Sequence, residues 1–182
     1  MAIAENLKKA IVQMPQKEKD KLLLRLIAKD KTLVQRLEFE LIEHGDTVQI
    51  RRDEIKRRIL QSAQMNYGTP GWLMMDMRNF SGDISQHVKI TKDKYGEVEL
   101  TLFLLKTFFD HQLDLLRVHN SKSDNCAEYI AKRTLMLLKN AGKLNEDYFV
   151  EFEQDINQLL QYVHTYCPRS YARTLEIAKS WP

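Results

Sequence analysis

Glycine and proline are scarce in this sequence, at six and four among 182 residues. That scarcity removes most of the tight-turn chemistry an all-β fold requires. Cysteine is scarcer still: Cys126 and Cys167 stand alone, with no CxxC spacing. A chain of this length can bury a core without disulfides or metals to hold it together. The two cysteines therefore read as small buried or half-buried thiols and not as a disulfide framework. No apolar run approaches the ~20 residues needed to cross a bilayer. The opening residues Met1 to Lys9 lack the continuous apolar stretch of a signal peptide. The expectation is a cytoplasmic protein without a membrane partner.

Charge of one sign is also in short supply. The 28 basic and 25 acidic residues leave a net charge of only +3. The octad from Arg51 to Arg58, with five basic and two acidic residues, accounts for all of it. The remainder is formally neutral, so any attraction to nucleic acid must be local.

What the sequence does contain is helical periodicity almost from end to end. The length suits one domain over 1–182, given a soft prior of about 150 residues per domain. A first helix is expected from Ile3 to Val12 and ends before Pro15. A second runs from Gln16 to Lys29 with Leu22, Leu23, Leu26 and Ile27 inward. A third is capped by Asp30, buries Leu33, Val34, Leu37 and Leu41, and ends at Gly45. A fourth, Thr47 to Asn66, places Ile55, Ile59 and Ala63 on one face.

Thr69-Pro70 is a strong start signal, a cap hydroxyl followed by proline at the first helical position. The fifth helix carries Leu73, Met77, Phe80, Ile84 and Val88 on its core face. The sixth, expected from Gly96 to His119, confines Glu99, Lys106, Asp110, Asp114 and Arg117 to one narrow strip, and apolar residues fill most of the remaining arc. A helix of that kind is surrounded by others, so the sixth is expected to be central. A seventh helix follows from Ser123 or Asp124 to Leu138. An eighth starts at the Asn145 cap, with Phe152, Ile156, Leu159, Leu160 and Val163 inward. A short terminal helix, Tyr171 to Ser180, packs Leu175 and Ile177 back on the body. No residue column recurs at a fixed period. The fold class is all-α, a single-domain antiparallel multi-helix bundle or a short irregular α-solenoid, with about eight helices.

Four groups of residues are candidates for function. His111 and Asp114 have a spacing that can share a metal, but on the helical wheel His111 turns toward the core, as a buried histidine would. Glu40 and Glu43 form one ExxE, the arrangement with which all-helical nucleotide pyrophosphatases hold magnesium. Such a site needs a second pair on a facing helix, and the acids of the eighth helix fall at i, i+4 instead. A solvated acidic face is the preferred account.

In the basic octad, Asp53 with Arg57 and Glu54 with Arg58 have ion-pairing spacing, which leaves Arg51, Arg52 and Lys56 for an acidic partner or a phosphate backbone. At the start of the fifth helix, Trp72, Met74 and Met75 exceed what the core face needs and suit an adaptable contact surface. No nucleophile motif, phosphate loop or complete ligand set accompanies these groups, and no cofactor is expected. The function that follows is an interaction or scaffold module that binds a macromolecular partner, a protein before a nucleic acid, through helix surfaces. A metal-dependent nucleotide hydrolase using Glu40 and Glu43 is the alternative, and weak nucleic-acid binding through 51–58 is a further one.

Overall fold

In a computed structural model that describes residues 3–181, the chain is all-helical and divides after Gly45 into two compact units. The N-terminal unit holds α1 (Glu5–Gln13), α2 (Gln16–Ile27) and α3 (Lys31–Leu37). Pro15 ends α1, and the Asp30 carboxylate caps α3 by accepting from the Thr32 and Leu33 amides at 3.0 and 3.1 Å. Three short helices enclose almost no interior. Neither α1 nor α2 buries a residue, and Leu23 and Leu26, expected inward, are 57% and 53% exposed.

The third helix also ends sooner than its apolar spacing predicts. At Glu38 the ladder widens into a π-turn, Glu38–Ile42, in which the Glu43 amide reaches the Glu38 carbonyl at 3.0 Å. The added residue shifts the register. Phe39 becomes the buried side chain at 6% exposure, and Leu41, expected to be buried, is 64% exposed. Gly45 then adopts φ 76°, a left-handed conformation suited to glycine, and closes the unit.

The second unit contains α4 (Val48–Ala63), α5 (Pro70–Thr91), α6 (Lys94–His111), α7 (Leu113–Leu116), α8 (Asp124–Ala141), α9 (Phe149–Thr165) and α10 (Arg169–Thr174). The Thr69 hydroxyl caps α5 with proline behind it, as read from sequence. The core faces of α4, α5, α8 and α9 converge on α6, whose Leu100, Leu104, Leu105 and Phe108 are fully buried. The sixth helix is central.

Side-chain pairs fix the directions of the five long helices. Ser62 meets Asp76 and Arg58 meets Asp83, so α4 and α5 are antiparallel. Arg52 meets Glu99 and Gln112 meets Ala63, so α4 and α6 are parallel. Tyr129 meets Met77 and Arg133 meets Ser81, so α5 and α8 are parallel. Tyr95 meets Glu151 and Asp110 meets Tyr162, so α6 and α9 are parallel. The bundle runs up, down, up, down, up, with its middle member at the centre.

The expected sixth helix stops short of His119. Gln112 leaves the helical region at φ −125° and donates its amide to the Ala63 and Met65 carbonyls at 2.7 and 2.8 Å, which caps the end of α4. Because the helix ends there, nothing surrounds its last residues: His111 is exposed, not buried, and Val118 is 61% exposed. The terminal helix is shorter than expected, yet Ile177 is buried and Leu175 half-buried against the core. Cys126 and Cys167 are unpaired and buried, and burial pushes both thiols up to about 12.

Candidate functional site

The helices around α6 form an incomplete ring. α4 packs on α5, α5 on α8 and α8 on α9, but no comparable contact joins α9 back to α4. In that opening the polar strip of α6 comes to the surface. Glu99, Phe103, Lys106 and Asp110 recur there at helical spacing and floor a cavity of about 380 Å³. Lys56 of α4 forms one wall, and Glu151, Phe152 and Asp155 of α9 form the other. The strip follows from the sequence of α6: a helix apolar around most of its circumference can leave only its polar sector uncovered.

One end of the opening is a buried charge network. Arg52 donates two hydrogen bonds of 2.6 Å to the Asp93 carboxylate and a third, at 3.3 Å, to Glu99. Lys56 donates to the other Glu99 oxygen at 2.7 Å. The Asp93 carboxylate also caps α6 by accepting from the Gly96 amide at 2.8 Å, and His87 Nε2 lies 3.0 Å away. The Arg52 guanidinium lies over the Tyr95 ring at 4.9 Å. Burial by itself would raise the Asp93 carboxyl. Its hydrogen bonds with His87, Arg52 and Gly96 outweigh that and hold it well below the usual carboxylate range.

Farther along the opening, Lys106 pairs with Asp155. Two carboxylates have only tyrosine hydroxyls as partners among the described residues. The Tyr95 hydroxyl donates to Glu151 at 2.8 Å, and the Tyr162 hydroxyl donates to Asp110 at 2.7 Å. Burial, then the bond to Glu151, pushes the Tyr95 hydroxyl up to about 12; the bond to Asp110, then burial, raises that of Tyr162. Both hydroxyls remain protonated donors at neutral pH.

These positions correct the sequence reading of the basic octad. Arg52 and Lys56 are not free cations: α4 packs their side of the helix onto α6, where Asp93 and Glu99 bind them. Arg51 donates to the Thr47 hydroxyl at 3.3 Å. The two expected ion pairs also differ. Arg57 turns back to Glu54, Arg58 reaches across to Asp83 on α5, and Asp53 accepts from Gln49.

The other candidates lie elsewhere. Trp72 and Met75 face solvent at 68% and 48% exposure, and Met74 packs on the core. Glu40 pairs with Arg36 at 2.7 Å, and Glu43 is half-buried in the N-terminal unit. Among the described residues no group of three or more His, Cys, Asp and Glu side chains converges as a metal would require, so Glu40 and Glu43 gain no second acidic pair. His87, not singled out in the sequence, is the histidine that is buried beside a carboxylate. Its position one turn before Ile90 and its nearness to the Asp93 cap are the only sequence signals for it. No protein-family model, no curated protein and no solved structure matches the chain.

Proposed function

We propose that this protein is an interaction module and that the opening between α4 and α9 receives a segment of a partner protein. The observation that supports the reading is the incomplete ring: the central helix is enclosed on all sides but one, and the uncovered side combines a cavity with aromatic anchors. An amphipathic helix laid into such a groove buries its apolar face and presents polar groups at the rim. Half-buried Tyr95 and Phe103 offer the aromatic contact area on which interface energy concentrates. Placement in the cytoplasm accords with two cysteines that remain unpaired.

The test is a photo-crosslinking amino acid placed at Lys106, in the opening, and in a second variant at Lys132, exposed on α8. The reading expects a defined protein adduct in cells from position 106 and none from 132. Adducts from 132 with none from 106 would overturn it.

A further inference from the structure

From the charge distribution around the opening, we infer that the partner segment is cationic, a helix with an apolar face and Lys or Arg at its edges. The inference rests on the reading of the opening as a docking groove and adds the chemistry of the occupant. Among the lining residues, Lys56 and Lys106 are already neutralised by Glu99 and Asp155. The acidic excess is Asp110 and Glu151, whose partners are neutral tyrosine hydroxyls. A hydroxyl satisfies one lone pair of a carboxylate but none of its charge, so both retain capacity for a cation.

The surroundings extend the same sign. Over 146–165, α9 and the turn before it carry Glu146, Asp147, Glu151, Glu153 and Asp155, with no Lys or Arg. Glu153, like Glu151 and Asp155, is exposed. One wall of the groove is therefore uniformly negative, in a chain whose net charge is +3. A field of that kind attracts a basic segment, speeds its encounter and rejects phosphate backbones and anionic membrane surfaces. The floor supplies the complement to an apolar face and to cations alike. Lys56 already lies over the Phe103 ring at 5.7 Å, and Arg52 lies over Tyr95, so the chain itself uses these rings to hold cations.

The experiment titrates the full chain with a fluorescein-labelled amphipathic peptide of leucine and lysine, and with the same peptide in which glutamate replaces every lysine. The lysine peptide should bind saturably and the glutamate peptide should not. The double variant Asp110→Asn/Glu151→Gln should weaken binding about fivefold, on the order expected for two partly exposed ion pairs. Both substituted residues are exposed and keep an acceptor for their tyrosine, so the fold is not at risk. A charge-matched control, Glu128→Gln/Glu176→Gln, should leave affinity within twofold. Equal binding of the two peptides, no binding of either, or equal loss in the control would overturn the inference. A crosslinked protein at position 106 together with failure of the lysine peptide would refute the cationic partner and leave the docking reading standing; failure of both would remove both.

Discussion

Arg52 on α4 holds Asp93, the cap of α6, through two hydrogen bonds of 2.6 Å, with the two side chains only 13% and 8% exposed. The pair links a helix on the rim of the opening to the start of the central helix. Removing one partner of a buried ion pair leaves the other without compensation. Arg52→Ala should therefore destabilise the protein by about 3 kcal/mol or more, read from urea denaturation midpoints at unchanged m-value. A loss below about 1 kcal/mol, the range of exposed pairs, would mean that the network is solvated.

The same carboxylate makes stability depend on acid. The folded-state value of Asp93 lies below its ordinary, unfolded value. The stability it contributes is present above about pH 4 and is lost as pH falls from there toward the folded value. Asp93→Asn should flatten the dependence of Tm on pH between about 4 and 2 relative to the parent protein. An unchanged acid limb in the variant would assign acid sensitivity to other groups.

Gly96 and Gly82 offer a paired test of packing. Both are helical, and ordinary propensity favours alanine at each by up to about 1 kcal/mol. A Cβ at Gly82 meets nothing within 4 Å, whereas at Gly96 it would lie 2.0 Å from Asp93 Oδ2 and 2.6 Å from Arg52 Nε. Gly82→Ala should raise Tm by a few degrees, and Gly96→Ala should lower it by displacing the cap and the guanidinium together. Equal responses at the two sites would show that the Arg52–Asp93 fork does not rest on the glycine.

Phe108 is fully buried on α6, and Phe108→Ala should cost about 3–5 kcal/mol. A loss under about 1 kcal/mol in the same urea measurement would displace α6 from the centre. Cys126 and Cys167 should react with a thiol reagent only as fast as the protein opens, because both are buried and protonated at neutral pH.

Much of the architecture was legible in the sequence because it depends on local signals. The Thr69 and Asp30 caps, the core stripe of α5 and the wide apolar arc of α6 each follow from residues within a few turns of one another. The narrow polar strip of α6 even marked the uncovered side. What local signals could not supply was the identity of facing residues. Helical spacing paired Asp53 with Arg57 and left Arg52 free, whereas Asp93, forty-one positions away in sequence, is the group that binds Arg52. The break at Gln112 was equally hidden, because its cause is the carbonyl end of α4 and not the sequence around it. Leu23 and Leu26 have the spacing of a core face, but the N-terminal unit gives them no interior to fill.

Hydroxyl-radical footprinting with the lysine–leucine peptide tests the docking groove most directly, because it reports where the ligand lies and not only that it binds. Tyr95 and Phe103, half-buried in the opening, should react in the free protein and become protected when the peptide is present. Trp72, 68% exposed on α5 outside the opening, should react equally in both states. Protection of Trp72 or Met75 with Tyr95 and Phe103 unchanged would move the binding surface to the start of α5 and contradict the account.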